Sequence, residues 1–448
     1  MTVFDTIAAE CTAPYKSAVA MVRLSGKDAF SILSHLIKKK VEDIEDRKMT
    51  YVFLYQDKND EKTLIDHGMI ALFTHPHSYT GEDSVEFYLH GSRFIVEELM
   101  ETLVHYGARR ASGGEFSEKA FLNGKMDLTE AEAVNQLVNS RTRKSRDFAL
   151  HSLNGNSSKI IKKMKEDLNL LTAEIEVDID YPEYEENKDI VPKIREKIPP
   201  MLNKAEKLLD SSRQSKYLFN GIKVAIVGEP NVGKSTLLNA LLGEDKAIVT
   251  AIPGTTRDVV EGEKESEGLI WHFFDTAGIR NEAGEIEKLG IEKTFRTIGR
   301  SDIILLLIQK GQDIEKEIDR LQIRELIKNK PLIRISTKRD LDGNNDMTDL
   351  SLSKNDEDFS SLYALMKKKL DLDKESTEGF ATERDLDLLK DFVDQLQSII
   401  ADLDNDMTVD VMEVKLIEAT HDLDEMLGTE NTMEDIYNTV FSHFCVGK

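Results

Sequence analysis

Cysteine is nearly missing from this chain: Cys11 and Cys445 are the only two in 448 residues. Two thiols cannot build a disulfide framework, so burial must hold the fold together and a reducing cytoplasm is the expected setting. Also missing is any apolar run approaching the roughly 18 residues of a membrane span. The N-terminus, MTVFDTIAAECTAP, has no charged-then-apolar leader, so no membrane partner is expected. Positive charge is short as well. Against 59 Lys and Arg stand 83 Asp and Glu, a formal charge of −24, which excludes nonspecific nucleic-acid binding over the whole surface. Any RNA contact needs a local basic patch or a partner that supplies one.

What is present is organised around Gly221 to Asn239, GIKVAIVGEPNVGKSTLLN. The apolar run Val224–Val227 predicts a short buried strand, followed by G-x-x-x-x-G-K-S and then a helix opening at Thr236. Glycines at 228 and 233 let successive backbone N–H groups curl around phosphate oxygens at a helix N-terminus, where the dipole is positive. Lys234 is expected to reach the β- and γ-phosphates and Ser235 to ligate magnesium, with Asn231, Val232, Gly233 and Thr236 completing the loop. Asp275, Thr276, Ala277 and Gly278 end a second predicted strand, Ile270–Phe274. The Asp would reach the magnesium shell and the Gly N–H would sense the γ-phosphate. Thr337, Lys338 and Asp340 follow a third strand, Leu332–Ser336. An Asp there accepts both the ring N–H and the exocyclic amine of guanine, which points to GTP; the usual motif begins with Asn, so Thr337 is a departure.

The length allows about three domains. Up to residue 120 the chain reads as mixed α and β, with strands expected at Ala18–Leu24, Met69–Phe73 and Val85–Leu89, and helices at Ala29–Ile37 and Phe94–Tyr106. SYTGEDSVE (Ser78–Glu86), GEFS (Gly114–Ser117) and AFLNGKMDL (Ala120–Leu128) read as polar, Gly-containing loops. Residues 121–215 turn helical: Thr129 and Glu132 form a potential capping box, and Pro199-Pro200 marks an expected fresh helix start. Arg141, Arg143, Lys144 and Arg146 make a basic cluster, either a solvated helix face or an RNA contact. A GTP-binding domain is expected over 216–380 and helix again over 381–448. Neither helical flank is long enough for a solid core of its own, so one discontinuous helical domain with the G domain inserted is the economical arrangement.

Taken together, SYTGEDSVE, AFLNGKMDL, PNVGKSTLLN, PGTTRD and the terminal FCVGK (Phe444–Lys448) resemble the bacterial tRNA modification GTPase family MnmE, also called TrmE. The resemblance covers essentially the whole chain. It implies a multidomain α/β and α fold: an N-terminal α+β tetrahydrofolate-binding-like domain (1–120), a discontinuous helical domain (121–215 and 381–448) and an inserted Ras-like P-loop G domain. It further implies a constitutive homodimer through the N-terminal domains and a site for 5-formyl-tetrahydrofolate or a related reduced folate. By motif the folate contacts are Arg23, Glu86, Lys125 and Lys448, so the C-terminal tail must fold back to the N-terminal domain. Cys445 lies beside that pocket. Two departures touch the pocket: Ala13–Ser17 replaces a Gly-rich stretch, and Gly113 stands where Pro is common. In the G domain, Ser351-Leu352-Ser353-Lys354 stands for the usual guanine-contacting Ser-Ala-Lys.

Where Ras-like switches carry a water-orienting Gln, this chain has Ile279, so that arrangement is absent. The resemblance offers two replacements. Asn231, with oxygens of Thr250, Ile252 and Thr255, would hold potassium near the β- and γ-phosphates, where an arginine finger would otherwise neutralise charge. Glu287 would orient the attacking water and is the candidate catalytic residue. Thr256 would complete the magnesium shell beside Ser235, and Ala251, Pro253 and Gly254 would line the nucleotide with the rest of the PGTTRD loop. Arg257, Asp258 and Arg280 would face a second G domain. The implied task is C5 modification of the wobble uridine of certain tRNAs. An FAD-containing MnmG-type partner would join a heterotetramer or larger assembly and make most of the tRNA contact. A GTPase switch acting in RNA binding or ribosome assembly, without one-carbon chemistry, is the alternative.

Overall fold

The computed structural model describes residues 5–58, 61–180, 190–243, 262–275, 295–343, 345, 347–353, 355–372, 378–405, 408–429, 440–441 and 444–447. Packing divides the chain into two compact units, residues 1–138, 152–190 and 407–448 in the first, and 139–151 with 191–406 in the second. Among the described residues no helix is long and apolar enough to cross a membrane.

The first unit is built on a six-stranded sheet ordered β3-β4-β5-β2-β1-β6. The strands are β1 (Ile7–Glu10), β2 (Val19–Ser25), β3 (Thr50–Lys58), β4 (Glu61–Phe73), β5 (Ser84–His90) and β6 (Arg109–Arg110), antiparallel except for the β1–β6 pair. Alternation sends Val22, Leu24, Val85, Phe87, Ile70 and Leu72 to one face, where they bury against α1 (Ala29–Leu36) and α2 (Arg93–His105). The opposite face carries the polar row. Arg23 stands directly across from Glu86, and two positions along Met21 stands across from Tyr88. The expected strands and helices of this region overlap β2, β4, β5, α1 and α2. Asp5 and Thr6 lead into β1, which takes up residues 7–10.

Residues 444–447 return to this unit. Val446 bridges Gly113 in antiparallel fashion, and Gly114 N–H donates to the Cys445 carbonyl at 3.3 Å. Phe441 and Phe444 are 3% and 7% exposed and pack with Leu128 and Ala131. A Cβ on residue 113 would lie 2.4 Å from the Phe444 carbonyl oxygen, which explains glycine at that position. Gly114, with φ +77°, then opens α3 (Glu115–Leu122).

Helices follow: α4 (Leu128–Asn139), α5 (Arg143–Leu153), α6 (Asn156–Asp180) and α7 (Ile190–Asn220). Two local expectations shift. The capping box at the start of α4 is Asp127 with Glu130: Asp127 Oδ1 accepts from Glu130 N–H and Glu130 Oε2 accepts from Asp127 N–H, both at 2.9 Å. Leu128 is fully buried, so the helix starts there and not at Thr129. Pro199 and Pro200 do not start a helix; α7 runs through them. Both prolines are exposed, and the carbonyls they orphan belong to Arg195 and Glu196, exposed residues that water can serve. In the first unit α6 packs on the helix Val409–Leu427, with an ion pair from Lys165 to Asp424. In the second, α7 meets the helix Glu383–Asp404: Arg195 donates to Leu403 O at 2.9 Å and Gln397 to Glu206 at 3.0 Å. Each pairing joins a helix from before the G region to one from after it.

The second unit holds another six-stranded sheet, ordered β12-β11-β10-β7-β9-β8. Its strands are β7 (Ile222–Gly228), β8 (Gly262–Ser266), β9 (Leu269–Asp275), β10 (Ile303–Ile308), β11 (Leu332–Ser336) and β12 (Leu350–Ser351). All neighbours run parallel except the β8–β9 hairpin. β10, IILLLI, is buried at every position, as a central parallel strand should be.

Phe441→Ala should loosen the tail and lower the stability of the first unit by about 3 kcal/mol, the usual cost of emptying a buried phenylalanine site. Thermal unfolding with limited proteolysis of the C-terminus checks it; an unchanged melting temperature and an intact tail would refute the anchoring.

Candidate functional site

β7 delivers its chain to the carboxyl edge of the parallel sheet, where ligands of open α/β folds bind. Gly228 approaches β10 so closely that a Cβ would lie 2.5 Å from Leu307 O. The loop then turns through Asn231, left-handed at φ +64°, and Gly233 at φ +112°, and α8 (Lys234–Leu242) begins. Lys234 is 5% exposed, and its ammonium donates to the carbonyls of Gly228 and Glu229, each at 2.7 Å. Ser235 and Thr236 are exposed at the helix start and Val232 is buried beneath them. Ser235 Oγ donates to Asp275 Oδ2 at 2.9 Å, so the hydroxyl and the carboxylate from the end of β9 are brought together. Among the described residues no group of three or more His, Cys, Asp or Glu forms a metal cluster. Two hard oxygens at a helix N-terminus nevertheless fit a magnesium ion that takes its remaining ligands from phosphate and water.

The loop after β11 meets the phosphate loop through Thr337. Its side chain is buried, and Oγ1 donates to Val232 O at 2.7 Å. Lys338 is left-handed at φ +60°, and Asp340 is exposed in the short helix Arg339–Asp342. Arg339 reaches the loop that stands for Ser-Ala-Lys: its N–H donates to Leu352 O at 3.0 Å, Nη1 to Ser351 O at 3.2 Å, and Nη2 pairs with Asp356. The backbone N–H groups there are engaged, Leu352 with Ser336 O at 2.8 Å and Ser353 with Asp356 at 2.8 Å. Thr250, Ala251, Ile252, Pro253, Gly254, Thr255, Thr256, Thr276, Ala277, Gly278 and Glu287 lie outside the described residues, as do Arg257, Asp258, Ile279 and Arg280. Of the four potassium candidates only Asn231 lies within them.

In the first unit, Arg23 Nη2 and Glu86 Oε1 pair at 2.9 Å, each side chain 13% exposed. The guanidinium also lies 4.9 Å from the Tyr79 ring centroid and 5.5 Å from that of Phe116. Tyr88 donates to the other Glu86 oxygen at 2.6 Å; burial first and that bond second push its hydroxyl up to about 12, so it stays a donor at neutral pH. SYTGEDSVE is a buried hydroxyl network: Ser25 and Thr80 share a 2.7 Å bond, and Ser78 and Ser84 bond to Glu82 O. Glu82 carries an ion pair with buried Lys119 at 2.9 Å. Lys125 is exposed and donates to Pro76 O at 3.0 Å. Lys448 lies outside the described residues. A carboxylate set among a cation, a phenol and two aromatic rings fits a flat heterocycle with N–H donors, such as a pterin.

Comparison with known proteins gives one answer along the whole length. Residues 6–125 match the GTP-binding protein TrmE N-terminus, and residues 128–445 match the MnmE helical domain. The chain belongs to the MnmE family of tRNA modification GTPases. It is 37% identical to the tRNA modification GTPase MnmE of Mycoplasmopsis pulmonis, over 99% of this chain and 100% of that one. With the protein of the same name from Thermotoga petrophila the figures are also 37%, 99% and 100%. With that of Ligilactobacillus salivarius identity is 34% over 100% of this chain and 99% of the relative.

Within this MnmE-family chain several site residues escaped the reading of the sequence. Tyr88 sits two positions beyond Glu86, and strand alternation alone could have found it. Gln312, which donates to Glu229 at 2.7 Å, and Arg320, which pairs with Glu229, carry no local signal.

Thr337→Val removes the hydroxyl that holds Val232 O. Nucleotide affinity should fall by about 1–2 kcal/mol, roughly tenfold. Titration with a fluorescent GTP analogue measures it, and wild-type affinity would refute the tie between the two loops.

Proposed function

We propose that this chain hydrolyses GTP and, with an FAD-containing MnmG-type partner, modifies the wobble uridine of certain tRNAs at C5. The observation that carries the reading is the convergence of Lys234, Ser235 and Asp275 at one helix N-terminus, in a chain whose whole length matches MnmE proteins. In this reading the α8 N-terminus and Lys234 bind the β- and γ-phosphates. Ser235 and Asp275 orient the magnesium, which supplies charge neutralisation when bound, and Asp340 reads guanine. Asn231 contributes to a potassium site beside the phosphates, and Glu287 orients the attacking water. Turnover drives opening and closing of paired G domains and is separate from the alkylation.

The polar row on the first sheet supports a reduced folate as one-carbon donor, with Glu86 accepting from the pterin N–H groups and Arg23 holding Glu86 in register. The same sheet has an exposed aromatic edge, Tyr51 at 54% and Phe53 at 46%, which supports a homodimer through this domain. The setting is the cytoplasm, and most tRNA contact falls to the partner because the chain is strongly acidic. A GTPase switch without one-carbon chemistry is the rival, and it gives no reason for the buried Arg23–Glu86–Tyr88 set.

Two measurements test the reading. GTP turnover should be at least about tenfold faster in potassium than in sodium, and Glu287→Ala should abolish the advantage; equal rates in the two salts would sink the potassium assignment. Glu86→Ala should weaken binding of 5-formyl-tetrahydrofolate by about tenfold or more while leaving GTP turnover in place. Absence of folate binding in the wild-type protein would favour the switch.

A further inference from the structure

Two members of the basic cluster of residues 141–146 pair within the second unit, Arg146 with its neighbour Asp147 and Arg141 with Glu263. Arg141 Nη1 lies 3.0 Å from Glu263 Oε2, and Nη2 bonds Oε1, a two-pronged pair across 122 positions of sequence. Glu263 stands directly opposite His272 in the β8–β9 hairpin. His272 Nδ1 is buried without a hydrogen-bond partner, 3.4 Å from Glu263 Oε2. Burial lowers the pKa of His272; Glu263 opposes and Arg141 reinforces that shift, so the ring is neutral and the charge of Glu263 is answered by Arg141. Lys144 lays its aliphatic stem over the hairpin turn, where a Cβ on Gly268 would lie 2.8 Å from it. Phe148, fully buried, meets Phe219 of α7 edge-on at 5.9 Å and seats the arm. Residues 139–151 therefore grip the hairpin both on its strand and at its turn.

That hairpin ends in the GTP site. β9 pairs with β7 from Trp271 to Asp275, and Asp275 is three residues beyond His272 on the same strand. A strand transmits displacement along its axis, and a shift of about 1 Å at a ligand-orienting carboxylate costs up to a hundredfold in rate. We infer that Arg141 is a positioning residue for GTP hydrolysis: by holding Glu263 it fixes the β8–β9 hairpin, and through it the register of Asp275 against Ser235. The inference rests on the GTPase reading above. Through β8 and the hairpin turn it gives residues 139–151 a grip on the hairpin whose second strand, β9, carries Asp275.

Charge reversal tests this. Arg141→Glu and Glu263→Arg, each alone, should lower kcat by about tenfold and raise the magnesium concentration for half-maximal turnover, with the KM for GTP at saturating magnesium little changed. The double variant should restore most of both. Arg141→Gln and Glu263→Gln give milder versions in case a reversal prevents folding. A purely structural pair would lower the melting temperature and leave the magnesium midpoint in place, and that outcome overturns the inference. So does a double variant without rescue, and so does an Arg141→Glu protein that turns over normally but loses tRNA binding. A wild-type protein without GTP turnover overturns both the inference and the reading on which it rests, whereas normal wild-type turnover with insensitive variants overturns the inference alone.

Discussion

The close approach of β7 to β10 at Gly228 is the constraint on which the second unit depends. A side chain there would collide with the carbonyl of Leu307, so the two central strands could not stay in register to their carboxyl ends. Because they do, the loop that follows must reverse in five residues, and it does so through two left-handed positions, Asn231 and Gly233. The reversal aims the first turn of α8 at one spot. The flanking strands then bring Asp275 from one side and, beyond β10, Thr337 from the other. The chemical groups at the site thus lie on or just beyond the carboxyl ends of strands whose places follow from one another.

The first unit rests on a comparable row. Arg23 and Glu86 are cross-strand partners, and α1 and α2 cover the other face of their sheet. The pair is mostly shielded yet lies on the face away from α1 and α2, bracketed by Tyr79, Phe116 and Tyr88. A paired charge held between aromatic rings resists collapse, since neither partner can leave without stranding the other. That makes the row a preorganised surface and not a flexible patch.

Local constraints were legible in the sequence and distant ones were not. The phosphate loop was plain because its glycines answer to backbone geometry within a few residues. β3 was not, because TYVFLYQDK carries apolar or aromatic groups on both faces: Val52 and Leu54 point inward while Tyr51 and Phe53 stand exposed, which erases the alternation. Pro199-Pro200 looked like a boundary because the loss of two N–H groups is a local penalty, and only tertiary placement reveals that the penalty falls on the solvent side. Asp127 outcompeted Thr129 as a cap because Leu128 had a core to enter. Arg141 read as solvated or RNA-facing since its acidic partner is more than a hundred residues away. The engagement of Thr337 with Val232 gives the departure from Asn a physical sense that the motif alone lacked.

The docking of Val446 on Gly113 imposes an order in time. Phe441 and Phe444 complete a cluster that Phe121, Met126, Leu128 and Ala131 begin, and the whole G region is synthesised between the two. On the ribosome the first unit must wait, with the seat for Phe441 and Phe444 uncovered, while the inserted sheet assembles its own strands. The host domain closes after its guest. A chain interrupted between the end of the second unit and the tail would therefore release a finished nucleotide-binding body attached to an unfinished one, and the exposed seat would mark the fragment for proteolysis.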